Sequence, residues 1–213
     1  MNLSLMSRRG FFAAVFVAMM GVQMPASADQ TPQETIEKSI TALLDEFVSQ
    51  KASLQADKKK LYALVDEGAS PLFDFDYISK LVLAKNWKSA SEDQRTRFAF
   101  EFKRLLVVTY ATALFQYTGD EKMTFEGTEI KERKGKRFAK VNSQVALQKG
   151  SPIPVKYDMI QDPEKNNDWR IYNLSVGSLN MALNYRKVIQ SSIASEGLEG
   201  VIASMKANND KNY

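Results

Sequence analysis

Few side chains of this chain could carry out chemistry, because its 213 residues include neither histidine nor cysteine. A Ser-His-Asp or Cys-His nucleophile, an imidazole base and a zinc site built on histidine or thiolate are therefore excluded. The sequence also lacks the S-x-x-K pair, the phosphate-binding P-loop, the G-x-G-x-x-G loop and the D-x-[DN]-x-[DN]-G calcium loop. We expect no catalytic residues, no cofactor and no metal site, and hence a protein that is not an enzyme.

The segment Asp74-Phe75-Asp76 is the nearest match to a catalytic motif, since phosphatases with an aspartyl nucleophile carry a D-x-D pair. In those enzymes the pair ends a buried hydrophobic strand. Here a Gly-Ala-Ser-Pro turn precedes it and a helical pattern follows it. The sequence therefore predicts that Asp74 and Asp76 cap and charge the N-terminus of a helix.

The first 28 residues have the features of an export signal. Arg8 and Arg9 precede an apolar run from Phe11 to Val22, and Ala26-Ser27-Ala28 is a small-residue cleavage site. The run is shorter than the ~20 apolar residues of a membrane span. We predict a signal peptide at 1–28 and a single domain at 29–213. Twin-arginine export and an uncleaved anchor remain alternatives to cleavage after general secretion.

The charge of residues 29–213 is close to neutral, with 27 basic and 25 acidic side chains. Nucleic-acid-binding proteins and polybasic membrane binders usually carry a strong basic excess. We therefore expect no nucleic-acid partner. A chain of this length can bury a substantial core without disulfide bonds.

Hydrophobic periodicity predicts helices first and strands second, which is typical of an α+β fold. Capping boxes at Thr31 and Ser91 mark two helix starts. The predicted helices lie near 32–47, 59–67, 75–85, 92–117 and 179–195, with a last short helix after Gly197. Period-2 alternation predicts strands near 123–125, 141–147, 153–159 and 169–176. The fold we expect is a four-stranded antiparallel meander sheet covered on one face by several helices, with an apolar cavity between them.

One sheet face and the opposing helices share an unusual supply of large apolar side chains. If the two surfaces meet everywhere they form an ordinary core, and if they splay they enclose an apolar pocket. Periodicity alone does not distinguish these outcomes. The residues that would border the pocket are Phe75, Leu81, Val82, Leu105, Leu106, Tyr110, Leu114, Val141, Val145, Tyr157 and Met159.

Several short segments, in this order along the chain, resemble the MlaC family of periplasmic phospholipid-binding proteins, also called toluene-tolerance proteins. They are Asp74-Phe75-Asp76-Tyr77-Ile78-Ser79, Asn86-Trp87, Gln94-Arg95-Thr96-Arg97-Phe98, Leu105-Leu106, Thr109-Tyr110-Ala111, Trp169-Arg170-Ile171-Tyr172-Asn173, Asn184-Tyr185-Arg186 and Gly197-Leu198-Glu199-Gly200-Val201-Ile202. The resemblance covers roughly residues 30 to 207, and the co-occurrence of the segments in order is more specific than any one of them.

The resemblance implies a periplasmic carrier without covalent chemistry. Such a carrier shuttles phospholipid between an outer-membrane lipid-transfer complex and an inner-membrane ABC transporter complex, and we expect it to be a monomer. The pocket residues above would then border the acyl chains, and Lys85, Trp87 and Arg104 would lie near the head group. Two other interpretations stay open: an exported chaperone or adaptor that binds polypeptide, and a carrier of a hopanoid-like lipid.

Overall fold

The computed structural model describes residues 30–146 and 150–213, so the predicted export signal lies outside the described part. Within that part, five α-helices and five strands follow one another in the predicted order, helices first. The helices are α1 (Pro32–Ala56), α2 (Lys58–Gly68), α3 (Phe75–Leu83), α4 (Glu92–Tyr110) and α5 (Met181–Asp210). Short 3-10 turns cover Ser70–Leu72, Ala84–Trp87 and Ala111–Gln116.

The predicted helix starts are confirmed by their hydrogen bonds. Thr31 and Ser91 both complete capping boxes, with Glu34 and Gln94 respectively. Asp74 caps α3 by accepting a hydrogen bond from the Tyr77 backbone N–H at 2.9 Å, as predicted in place of a phosphatase role. Polar side chains therefore satisfy the first free N–H groups of these three helices.

Several helix boundaries differ from the prediction, and α1 continues to Ala56 rather than ending near 47. α4 ends at Tyr110 and continues as a 3-10 turn to Gln116. One residue before its end, the Thr109 hydroxyl donates to the Leu105 carbonyl at 2.6 Å, a hydrogen bond to the preceding turn that often bends helices. α5 begins at Met181 rather than 179, and its Gly197 has non-helical backbone angles (φ 72°, ψ 169°), so the predicted break there is confirmed.

The sheet is an antiparallel meander in the order β1 (Lys122–Arg133), β2 (Lys136–Ala146), β3 (Ile153–Gln161), β4 (Trp169–Val176) and β5 (Leu179–Asn180). The prediction of four strands was wrong by one. β5 has only two residues, which is too short to produce an alternating pattern. It pairs with the end of β4 across the turn at Gly177, whose φ of 59° suits glycine.

A bulge in β4 explains why this strand is apolar at both odd and even positions. Ile171 pairs with Met159, but the next register pair is Asn173 with Asp158, which leaves Tyr172 as the extra residue. Paired residues share a face of the sheet. Leu174, opposite Tyr157, therefore lies on the same face as Ile171, although three positions separate them.

Helix α1 and the 70–72 turn supply the helical side of the packing on the apolar face of the sheet. Ile36 of α1 and Leu72 of the turn share one buried cluster with the sheet residues Ala139, Val141, Val155, Tyr157, Met159, Trp169 and Ile171. Helices α3, α4 and α5 form a second cluster among themselves. α1, α2 and the end of α4 form a third. Of the helices in the second cluster, α3 and α5 lie next to β4.

The loop between β3 and β4 is joined by ion pairs to α3 and to β2. Lys165 in the loop lies 3.2 Å from both Asp74 and Asp76, and Lys136 on β2 pairs with the buried Asp162. Asp74 also takes part in the sheet edge, because its N–H donates to the Ile171 carbonyl. These contacts hold the start of α3 beside β4.

We predict that Asp74→Ala lowers the free energy of unfolding by about 2 kcal/mol, because it removes a helix cap and the buried partner of Lys165. Asp76→Ala is the matched control: its side chain is 70% exposed against 4% for Asp74, yet it contacts the same lysine. The control should cost less than about 0.5 kcal/mol. Urea denaturation followed by circular dichroism measures both, and equal losses would contradict this role of Asp74.

Acid should weaken the β3–β4 connection. The hydrogen bond from Lys136 lowers the pKa of the Asp162 carboxyl below its ordinary value of 3.8. Since the folded state then binds fewer protons than the unfolded state, this stability is present above about pH 4 and is lost as the pH falls through the lowered pKa. Lys136→Met should therefore have a lower free energy of unfolding than the parent protein at neutral pH. On acidification, its free energy of unfolding should fall by less than that of the parent protein.

The control for this prediction is Lys131→Met, which alters a lysine whose side chain is 82% exposed. It should show the same dependence of unfolding free energy on pH as the parent protein between about pH 7 and about pH 2.5. If Lys136→Met also keeps the parent slope, the ion pair does not contribute to acid sensitivity.

Candidate functional site

A cavity of about 340 Å³ lies where β4 meets the helices α2, α3, α4 and α5. This volume is within the range of about 300–1,000 Å³ that is usual for ligand pockets. Its wall consists of Val65, Ala69, Ser70, Phe73, Phe75, Ile78, Val82, Phe102, Leu106, Val107, Tyr110, Tyr172, Asn173, Leu174, Val176, Met181, Ala182 and Tyr185. Its position is the junction between the helical clusters and the bulged half of β4.

Helix α3 contributes Phe75, Ile78 and Val82 to the wall. Spacings of three and four put these side chains on one face of the helix. The opposite end of α3 is fixed by α5, since Arg186 Nε donates to the Leu81 carbonyl at 2.8 Å and Gln190 Nε2 donates to the Leu83 carbonyl at 2.9 Å. These bonds satisfy carbonyls that the end of a helix leaves free, and they join α3 and α5 into one wall.

Helix α4 and the first turns of α5 form the opposite part of the wall. Phe102, next to the cavity on α4, packs edge-on against the Tyr185 ring of α5, with 5.1 Å between the ring centroids. From the sheet, the β4 bulge places Leu174 and Val176 on the cavity side. Helices α3, α4 and α5 and strand β4 thus contribute carbon surface to one cavity that is open on one side.

The wall offers almost no polar surface, although it contains polar residues. The Ser70 hydroxyl donates to Asp66 at 2.6 Å. The Asn173 amide donates to Asp158 at 2.8 Å, and its carbonyl oxygen accepts from the Ala182 N–H at 3.2 Å. Among the described residues, no charged side chain lines the cavity. The wall is therefore suited to hydrocarbon and gives water little to bind.

Tyrosine hydroxyls lie at the exposed side of the cavity. Tyr110 is 43% exposed, and the Tyr185 hydroxyl donates to the Tyr110 hydroxyl at 3.3 Å. Burial, together with the hydrogen bond to Tyr110, raises the pKa of Tyr185 far above its ordinary value of 10.0. Burial and the neighbouring Asp158 raise the pKa of Tyr172 to about 12. Both shifts keep the hydroxyls of Tyr185 and Tyr172 protonated at physiological pH.

The uncharged carbon wall is suited to holding an apolar molecule. Across residues 30–146 and 150–213, no three acidic, histidine or cysteine side chains come together as they would around a metal ion. In the same part of the chain, no helix is both long enough and apolar enough to cross a membrane.

Four of the predicted pocket residues lie in the cavity wall: Phe75, Val82, Leu106 and Tyr110. They come from α3 and α4, whose facing surfaces the helical periodicity indicated. That they contact acyl chains remains a prediction.

The other predicted pocket residues lie elsewhere in the structure. Val141, Tyr157 and Met159 belong to the core beneath α1, and Val145 packs against that core. Leu105 packs against the core of α3, α4 and α5, and Leu114 against that of α1 and α2. The carbonyl of Leu81 accepts from Arg186, and its side chain does not line the cavity. The sheet residues lie outside the cavity because α1, and not α3 or α4, covers their part of the sheet.

The predicted head-group residues also lie outside the cavity wall. Lys85 is exposed in the 84–87 turn. Trp87 packs beneath Arg95, whose guanidinium lies 4.8 Å from the ring centroid. Arg104 is paired with Glu101 and Asp210. The structure brings none of these three to the cavity.

Sequence reasoning missed the contributions of α5 and β4. Met181, Ala182 and Tyr185 lie on one face of α5, and their helical spacing could have suggested a shared role. The bulge at Tyr172 determines which face of the sheet Leu174 and Val176 occupy, and the sequence carries no distinct signal for this bulge.

Comparisons with known proteins agree on one family. The model of the MlaC protein family matches residues 37–207. The toluene tolerance protein ttg2D of Pseudomonas putida is 27% identical over 160 residues, which are 75% of this chain and 71% of the relative. The intermembrane phospholipid transport system binding protein MlaC of Haemophilus influenzae is 22% identical over 185 residues, 87% of this chain and 85% of the relative.

A solved structure has the same fold. It is a phospholipid-binding protein from Ralstonia solanacearum in complex with a phospholipid, and the similarity has a TM-score of 0.72 at 21% sequence identity. The match covers 85% of this chain and 98% of that one.

Filling the cavity should block the binding of apolar molecules. Ala182→Phe places a ring in the wall, whereas Ala194→Phe puts the same ring on an exposed position of the same helix. With protein refolded from urea and the neutral dye N-phenyl-1-naphthylamine, we expect the first variant to bind at least about tenfold more weakly. The second should match the parent protein, and equal dye binding by both variants would contradict the assignment of the cavity.

Proposed function

The chain belongs to the MlaC family, and we propose that it is a periplasmic carrier that holds phospholipid by its acyl chains in the cavity beside β4. In this proposal the polar head of the lipid stays at the cavity mouth, near Tyr110. The carrier makes and breaks no covalent bond, needs no cofactor and works as a monomer.

The uncharged, apolar wall of the cavity is the observation that carries this proposal. Two acyl chains hold about 30 methylenes, and at ~0.8 kcal/mol each their transfer from a bilayer into water costs on the order of 20 kcal/mol. A lipid therefore does not cross an aqueous compartment unaided. A cavity lined by carbon replaces the bilayer interior as a solvent for the tails, so transfer in either direction becomes close to neutral in free energy.

The names of the relatives support this cargo. One is named as a binding protein of an intermembrane phospholipid transport system, and the solved structure with the same fold contains a phospholipid. We extend both features to this chain. We also propose that it exchanges lipid with an outer-membrane complex and an inner-membrane ABC transporter complex.

The periplasmic location is proposed from the first 28 residues. Their two arginines, apolar run and Ala-Ser-Ala site have the pattern of an export signal. A carrier between two membranes has to work in the aqueous space that separates them, so this location and the proposed cargo support each other.

Native mass spectrometry of protein purified from cells without detergent tests the proposal. We expect a complex whose extra mass is that of intact phospholipid, identified by fragmentation. Ala182→Phe should carry less of it and Ala194→Phe the same amount, because only the first substitution occupies the cavity. A hopanoid-like lipid in its place would overturn the cargo, and a bare mass together with peptide binding would favour a chaperone.

A further inference from the structure

Two tyrosine hydroxyls form a directed chain at the cavity mouth. Tyr185 donates to Tyr110 at 3.3 Å, and the Tyr110 hydroxyl in turn donates to the sulfur of Met181 at 3.8 Å. A thioether is a weak acceptor. The Tyr110 hydroxyl proton therefore makes only a weak hydrogen bond. Tyr110 is also the more exposed of the two tyrosines.

Two other polar side chains of the wall already have hydrogen-bond partners. Ser70 is bonded to Asp66, and Asn173 to Asp158 and to the Ala182 N–H. The Tyr172 ring packs against Tyr77 and also against Phe138, which lies on the face of the sheet opposite to Leu174, with 4.8 and 6.1 Å between the ring centroids. Asp158, whose charge acts on the Tyr172 hydroxyl, lies on that same opposite face, away from the cavity. Tyr110 thus presents the donor that a ligand in the cavity would gain most by engaging.

Three cations that lie close to wall residues in the sequence, Lys103, Arg104 and Arg186, are held in other contacts. Lys103, which follows Phe102, pairs with Asp66 at 2.8 Å. Arg186 follows Tyr185 directly, but its Nε donates to the Leu81 carbonyl at 2.8 Å. Arg104 is paired with Glu101 and Asp210, and its guanidinium lies 4.7 Å from the Tyr213 ring centroid. In the described part of the chain, the cavity wall contains no cation that could meet a phosphate.

We propose that the Tyr110 hydroxyl, supported by Tyr185, donates the hydrogen bond that holds the oxygen-rich junction between the head group and the tails of the bound lipid. This inference rests on the proposed function. It defines the cargo class as acyl lipids with an ester or phosphate oxygen at that junction, largely independent of head-group charge.

The physical basis is the exchange of a weak acceptor for a strong one. When an ester carbonyl or phosphate oxygen replaces the Met181 sulfur, the hydrogen bond shortens and strengthens, more so for the charged oxygen. The donation from Tyr185 polarises the Tyr110 hydroxyl and makes it a better donor. Because the donor is neutral, it attracts zwitterionic and anionic lipids alike, and salt screens it little.

The test uses protein expressed from its full coding sequence, cleared of bound lipid, and vesicles of phosphatidylcholine or of phosphatidylglycerol. Tyr110→Phe should weaken uptake of both lipids about tenfold, the loss expected for one hydrogen bond. The parent protein should prefer neither lipid by more than about threefold, between about 0.05 and about 0.5 M salt. Tyr117→Phe, which alters a tyrosine outside the cavity, is the control.

Tyr185 is a positioning residue in this proposal, and its test separates that role from a structural one. Tyr185→Phe should weaken uptake about threefold in the parent protein and add nothing in the Tyr110→Phe background, since it acts through Tyr110. If Tyr185 had only a structural role, the losses of uptake in the two single variants would add in the double variant. Additive losses would contradict the proposal that Tyr185 acts through Tyr110. Melting temperatures establish that the variants are folded.

Two further lipids identify the oxygen. Ether-linked phosphatidylcholine lacks the ester carbonyls, and diacylglycerol lacks the phosphate. If one of these two lipids lacks the accepting oxygen, Tyr110→Phe and the parent protein should take it up equally well. Equality with either lipid supports the proposal and identifies the oxygen. Parent-like uptake of both phospholipids by Tyr110→Phe would overturn the inference and leave the proposed function standing, whereas a parent protein that takes up neither would overturn the proposed function itself.

Discussion

An apolar cavity can persist beside a sheet only if the polar groups around it are satisfied without turning into it. The contacts around this cavity follow that constraint. Ser70 bonds Asp66, and Asn173 divides its amide between Asp158 and the start of α5. The carbonyls at the end of α3 are taken by side chains of α5. What remains toward the interior is carbon, with tyrosine hydroxyls at the exposed side.

The same constraint explains why α3 and α5 are joined so closely. α3 has only nine residues and would be marginal as an isolated helix. It is stabilised at its start by the Asp74 cap and the ion pair with Lys165, and at its end by Arg186 and Gln190. α5 also contacts α4, through Tyr185 with Phe102 before the break at Gly197 and through Glu199 with Arg97 beyond it. α5 therefore connects the two sides of the cavity.

The sequence carries local signals strongly and tertiary ones weakly. The capping boxes at Thr31 and Ser91, the cap at Asp74 and the break at Gly197 depend on neighbouring residues alone, and all were predictable. Which helix covers the sheet depends on contacts between distant segments, so periodicity could not assign Val141, Tyr157 and Met159 to the core under α1. The bulge at Tyr172 shifts the alternation of β4, and the sequence alone gives no register.

Acyl chains in this proposal occupy the space between α3, α4, α5 and β4. A crystal structure of the protein with a phospholipid brominated on both acyl chains would locate the tails, because anomalous scattering reveals each bromine. We expect bromine peaks inside the cavity, within about 4.5 Å of wall side chains such as Val82 and Phe102. Bromine peaks confined to the outer surface, with the cavity side chains unchanged, would contradict the proposal.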